Sequence, residues 1–114
     1  MSTVIHLSFD IPPSVNKLYR RSGSNVVLTE EALVYRQMTI LQAREQYKDE
    51  PLEGALCVTL HFYGSRLDID NGTKILADSI QGIVYLNDAQ IIELHIYKCP
   101  DDGDKRVEME VRQL

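Results

Sequence analysis

Five charged side chains stand out by type and spacing: Asp68, Asp70, Lys74, Asp78 and Asp88. Asp68 and Asp70 sit two apart in Asp68-Ile69-Asp70-Asn71, so in extended geometry their carboxylates project to the same side. Lys74 follows Asp70 by four and Asp78 follows Lys74 by four, which puts all three on one face of a helix. Asp88 comes ten residues later, in the turn-forming pair Asn87-Asp88. Three carboxylates from separate segments, Asp68, Asp70 and Asp88, make the hard oxygen environment that Mg²⁺ prefers. Waters and a phosphate oxygen would complete the octahedron. Without a cation such a cluster repels itself.

Each residue also has an ordinary structural role. An Asp before a helix is commonly its N-cap, which would suffice for Asp70. Lys74 between Asp70 and Asp78 would make a surface ion pair of small value, and Asp88 would simply form its turn. A calcium loop beginning at Asp68 fails, because Thr73 and Ser79 stand where it needs Gly and Glu. A phosphatase-type D-x-D nucleophile calls for a larger chain, and Asn71 interrupts the Gly-Thr it would need.

The elements that must position these groups can be read from periodicity. Ile5, Leu7 and Phe9 alternate with polar residues as a strand does, until Pro12-Pro13 breaks it. Residues 14–24 read as an exposed basic loop, and Asn25–Leu28 as a short strand. Thr29 is placed to cap a helix running to about Tyr47, with Leu33, Val34, Met38, Leu41 and Tyr35 as its expected buried stripe. From Ala55 to Tyr63, Leu56, Val58, Leu60 and Phe62 alternate with Cys57, Thr59 and His61, the clearest strand in the chain. Asn71–Gln81 reads as a second helix with Ile75, Leu76 and Ile80 inward and Gly82 as its stop. A strand over Gln90–Lys98 then meets Cys99–Asp104, a hairpin signal into a last strand carrying Val107, Met109 and Val111. The expected fold is α/β (α+β-like), a single domain with a mixed β-sheet packed with two main helices, in the order β-(β)-α-β-α-β-β.

Composition limits the function classes. With 114 residues, 44% hydrophobic and 25% charged, the chain makes one globular domain over residues 1–114 and is neither disordered nor fibrous. No apolar run approaches the roughly 20 residues of a membrane span, and MSTVIHLSFD lacks the pattern of a signal peptide. Cys57 and Cys99 read as free thiols in a reducing cytoplasm, with no Cys or His at zinc-ligand spacing to either. The net charge of −5 argues mildly against nucleic acid. It conceals a split: residues 1–48 hold six Lys/Arg against four acids, and residues 49–114 hold six against thirteen. A polyanion can still bind the basic half if the acids turn away or hold metal.

Taken together, three signatures are specific. D-x-D-N-x-x-K at Asp68–Lys74, L-x-D-A-Q-[IV] at Leu86–Ile91 and P-P-S-x-N-x-x-Y at Pro12–Tyr19 occur in order. This combination resembles the RusA family of Holliday junction resolvases. The resemblance implies a homodimeric, Mg²⁺-dependent endonuclease, with Mn²⁺ as a substitute, that nicks four-way DNA junctions symmetrically in recombination and repair. It places the metal ligands at Asp68, Asp70 and Asp88 and the essential lysine at Lys74; Asp78 matches a further acid. It implies no membrane and no protein partner beyond a second copy, and a cytoplasmic setting in a bacterial or phage-infected cell. Where family members often carry a basic run before the first Asp, this chain has Gly64-Ser65-Arg66-Leu67, with Arg66 one place displaced.

DNA affinity is expected from Asn16, Lys17, Tyr19, Arg20, Arg21 and Arg66, with Arg44 a further candidate, acting on phosphates in a salt-sensitive way. Tyr19 is placed to stack near the crossover. A two-fold protein matches the two-fold arrangement of opposed strands, so isologous dimerisation is expected. The alternative is a catalytically silent DNA or junction-binding module of the same fold. The loss of one carboxylate would have favoured it, and all three are present.

Overall fold

The computed structural model describes residues 3–14, 17–66 and 72–114. Its spine is β4 (Leu56–Tyr63), whose Leu56, Val58, Leu60 and Phe62 are at most 3% exposed. β6 (Arg106–Gln113) runs antiparallel along one side of β4, and β5 (Ile91–Cys99) runs parallel along the other. β1 (Val4–Phe9) pairs antiparallel with the far side of β6, giving a mixed sheet of order β1-β6-β4-β5. Helices α1 (Glu30–Gln46) and α2 (Thr73–Ser79) contribute Ala43 and Leu76 to the core built on one sheet face. The expected class and mixed sheet are what the chain adopts. No helix among the described residues is long and apolar enough to cross a membrane.

Three expectations are corrected. First, β5 and β6 form no hairpin, because β4 lies between them. The Asx turns at Asp101 and Asp102 form as the sequence suggests, with Gly103 N and Asp104 N donating to their carboxylates at 2.9 and 3.1 Å. But the connection carries the chain across the end of β4. It passes so close to Gly64 that a Cβ there would meet Asp101 Cγ at 3.0 Å. Val107, Met109 and Val111 are buried on the core face of β6, which is paired on both sides, by β1 and β4.

Second, α1 turns its expected stripe outward: Leu33, Val34, Met38 and Leu41 are 45–61% exposed. The buried face is Ala32, Tyr35, Thr39 and Ala43. Small side chains let the helix approach closely. The polar ones are satisfied locally, since Thr39 Oγ1 donates to Tyr35 O at 2.8 Å and Tyr35 Oη donates to Asp10 O at 2.9 Å. Tyr35 alone of the expected stripe lies inside, where burial pushes its phenol pKa up. Thr29 caps the helix as expected, accepting from Ala32 N at 3.1 Å. Near the other end, Gln46 accepts from Ser8 N and donates to Ser8 O, both at 2.7 Å, covering the free edge of β1.

Third, residues 14–24 are not all loop. Tyr19–Ser22 forms β2, which pairs antiparallel with the expected strand Asn25–Leu28, β3, around Gly23 at φ +63°. Leu18, at the hairpin's base, is buried with Ala32, Tyr35 and Ile75, so the ribbon is anchored to both helices. Helix α2 is shorter than expected and ends at Ser79, with Gly82 beyond it at φ +83°.

Candidate active site

Lys74, in the first turn of α2, is where the site is visible. Its Nζ donates to Asp78 Oδ1 at 3.1 Å, one helical turn on, and to Asp88 Oδ2 at 3.3 Å. The lysine side chain is 73% exposed and the two carboxylates about one-third exposed, so the cluster stands open at the surface. Hydrogen bonds donated to Asp78 and then to Asp88 hold the Lys74 pKa above its ordinary value, and the charges of the two carboxylates add to this. Lys74 is therefore a cation throughout the neutral range. It cannot serve as a general base there.

The segment before Lys74 is shaped by Gly72. It is the N-cap of α2, left-handed at φ +82° and without a side-chain cap. A Cβ on Gly72 would lie 2.6 Å from Pro12 Cβ, so the proline signature and the start of α2 pack against each other through this glycine. Asp68, Asp70, Asn71 and Asn16 lie outside the described residues.

Asp88 is positioned by its neighbours. Residues Asp88–Gln90 form a 3-10 turn capped by Asn87, whose Oδ1 accepts from Ala89 N at 2.8 Å. Asn87, not Asp88, is the turn former, which frees the Asp88 carboxylate to reach Lys74. Gln90 then locks the turn: its Oε1 accepts from Leu86 N and Asn87 N, both at 2.9 Å. Its Nε2 donates to Leu52 O at 2.9 Å and Gly54 O at 3.0 Å. Gln81 Oε1 adds a bond from Asp88 N at 2.8 Å. Sequence reasoning passed over these positioning roles of Gln81, Asn87 and Gln90, although two of the residues stand in the signature around Asp88. Between α2 and β5 lies an open groove of about 380 Å³, lined by Lys74 and Asp88 on one side and Leu94 and Ile96 on the other.

The protein-family comparison places the chain as a whole. The model described as "Endodeoxyribonuclease RusA" matches residues 10–112, nearly the whole chain. The chain belongs to the RusA family. Among curated proteins, it is 23% identical over 113 residues to "Crossover junction endodeoxyribonuclease rusA" of Enterobacteria phage 82, covering 96% of this chain and 94% of that one.

The candidate DNA contacts are spread along one strand of the hairpin. Tyr19, Arg20 and Arg21 lie on β2, paired with Leu28, Val27 and Val26. All three are exposed. Strand alternation puts Tyr19 and Arg21 on one face of the ribbon and Arg20 on the other, so the two arginines do not form a single patch. Lys17 precedes the ribbon, its carbonyl accepting from Thr29 Oγ1. Arg66 is exposed beyond the end of β4 and Arg44 in the last turn of α1.

One group was missed. The donor atoms of Cys57, Glu93 and His95 lie within 4.8 Å of one another on the sheet face away from the core. Spacing along the chain gave neither cysteine a neighbouring zinc ligand, whereas the parallel pairing of β4 and β5 brings two potential donor groups beside Cys57. Both cysteines are free thiols, as expected.

Proposed function

We propose that this single domain, residues 1–114, resolves four-way DNA junctions by paired symmetric nicks as a Mg²⁺-dependent homodimer, with Mn²⁺ able to substitute, in recombination and repair. The observation that carries the reading is the meeting of Lys74, Asp78 and Asp88, drawn together from a helix and a locked turn at an open groove. The donors suit the cation: Asp78 and Asp88 present partly exposed carboxylate oxygens, and the described trio retains a net negative charge. Asp68, Asp70 and Asp88 are the proposed ligands; a cation held there would supply an acidified water and polarise the phosphoryl oxygen.

The chain's own groups do the rest. Lys74, held protonated, stabilises negative charge developing on the phosphate. Its flexible ammonium is a point charge able to leave Asp88 for the substrate. Asp78 keeps that ammonium over the groove. Gln90 and Asn87 fix where Asp88 points, and Leu94 and Ile96 give the groove an apolar wall that limits water. Lys17, Arg20, Arg21 and Arg66 contact phosphates, with Asn16 and Tyr19 near the crossover; these contacts carry affinity independent of sequence. Subunit pairing is supported by exposed apolar surface on α1 (Leu33, Val34, Met38, Leu41) and on β5 (Ile92, Leu94).

The test is a Mg²⁺ titration of nicking on a synthetic four-way junction. Cleavage in opposed strands that requires the metal supports the reading. Tight junction binding with no cleavage at any Mg²⁺ or Mn²⁺ concentration would leave the silent binding module in its place.

A further inference from the structure

The outer face of the sheet carries a second kind of chemistry. Parallel pairing sets Cys57 on β4 directly beside Glu93 on β5, and Thr59 beside His95. Glu93 and His95 are two apart on one strand, so both side chains project to the side on which Cys57 lies. The three donor atoms fall within 4.8 Å of one another, and His95 Nε2 is 3.8 Å from Glu93 Oε2. In a tetrahedral zinc site, with bonds of about 2.0–2.3 Å, ligand atoms sit about 3.3–3.6 Å apart. The Glu93 and His95 side chains are half-exposed and have room to turn toward Cys57, whose thiol is buried beneath them.

We propose that Cys57, Glu93 and His95 bind a borderline divalent cation of the Zn²⁺ class, distinct from the hard-cation site at Asp88. The donor chemistry selects the metal. A thiolate and an imidazole favour Zn²⁺ or Co²⁺ over Mg²⁺, which takes oxygen donors. The charges also balance: a thiolate and a carboxylate neutralise the dication, with His95 neutral. On binding, the Cys57 thiol gives its proton to solvent, so affinity rises with pH. Three protein donors leave the fourth position to water. The ion ties the exposed edge strand β5 to the central strand β4. Its role is to brace the strand that begins directly after the Asp88 turn, and no part in phosphodiester chemistry is assigned to it.

The test uses Co²⁺ as a spectroscopic probe on the full chain in the absence of DNA. Thiolate coordination gives an intense sulfur-to-cobalt band in the near ultraviolet, which an all-oxygen site cannot produce. We expect one equivalent of Co²⁺ per chain to develop this band and Zn²⁺ to displace it. Cys57→Ser abolishes the band, while Cys99→Ser keeps it. His95→Ala, at an exposed edge position that leaves folding intact, weakens the affinity by more than about tenfold, at least the cost of losing an outer-sphere partner. Zn²⁺ raises the melting temperature of the wild type and not of His95→Ala. No band in the wild type, a band surviving Cys57→Ser, or unchanged affinity in His95→Ala overturns the proposal. Nuclease activity enters none of these readouts.

Discussion

Gln90 has no reactive group, yet its bonds fix the turn that carries Asp88, so Gln90→Ala isolates positioning from chemistry. The substitution removes four hydrogen bonds, two accepted by Oε1 from Leu86 N and Asn87 N and two donated by Nε2 to Leu52 O and Gly54 O. Only the bond to Leu52 is partly buried; water replaces the others on truncation. Taking about 0.5 kcal/mol for each replaceable bond and about 1 for the buried one, the loss is about 2.5 kcal/mol. An unfolding entropy of about 2.1 cal/mol/K per residue over 114 residues turns this into a melting temperature lower by about 10 °C. The fold survives, because the core on β4 is untouched. Asp88 does not stay in place, and a misplacement of about 1 Å costs about 10²-fold in rate. Single-turnover nicking of a synthetic junction at saturating Mg²⁺, well below the new melting temperature, reads this directly. Gln90→Glu fares worse, since its second oxygen replaces a donor facing two carbonyls. A Gln90→Ala protein that melts lower but cleaves at the wild-type rate would refute the argument: Asp88 would then be held by something else, or would not matter.

Asp88→Asn keeps shape but weakens both the Lys74 pair and metal affinity; cleavage falls by at least about 10²-fold while junction binding by gel shift is unchanged or tighter. Asp70→Asn and Asp68→Asn are expected to match it, and full activity in either removes that residue from the ligand set. Lys74→Ala loses about 10²–10³-fold in turnover with little change in junction affinity, and Lys74→Arg recovers only part, because a planar guanidinium does not replace a compact ammonium. The raised Lys74 pKa gives a sign for pH: the charged form is favoured on folding, so this contribution persists through neutral pH and disappears only as pH rises past the ordinary lysine range; a rate that fell with loss of the Lys74 charge near neutrality would contradict it. Arg20→Ala and Arg21→Ala each flatten the log–log salt dependence of junction binding by about 0.9 if both ribbon faces meet phosphate; one unchanged slope identifies the face turned to solvent. Leu41→Glu on α1 and Ile92→Glu on β5, compared by light scattering, show which apolar surface pairs the subunits, and two unchanged dimers would exclude both.

What could be read from the chain followed from local rules, and what could not depended on partners distant in sequence. The strand at β4 was plain because Leu56, Val58, Leu60 and Phe62 alternate without interruption, and Thr29 was a plain cap because capping is satisfied within one turn. The face of α1 was misread because hydrophobicity picks out large residues, whereas close helix packing selects Ala32, Thr39 and Ala43. The Asp102-Gly103 turn formed, but turn chemistry does not say which strand the chain will join, and β6 pairs with β4 and β1, not with β5. At the site, Lys74 with Asp78 followed from helical spacing alone. Lys74 with Asp88 did not; it needed the resemblance to suggest it and the fold to show it.

The three signatures that mark the family are joined here by packing as much as by chemistry. Pro12 seats against Gly72, two residues before Lys74, so the proline signature meets the start of α2. Leu18 packs with Ile75, one residue after Lys74, so the basic ribbon hangs from that same helix. Gln90 fastens the Asp88 turn to the segment before β4 through Leu52 and Gly54. A seven-residue helix has little stability of its own, so Lys74 keeps its place only because these neighbours hold both ends of α2's surroundings. Gly72→Ala tests the point without touching a charge: it combines strain at φ +82° with a collision against Pro12. It should therefore cost both stability and turnover, and a fully active, fully stable Gly72→Ala protein would show that α2 is placed by other means.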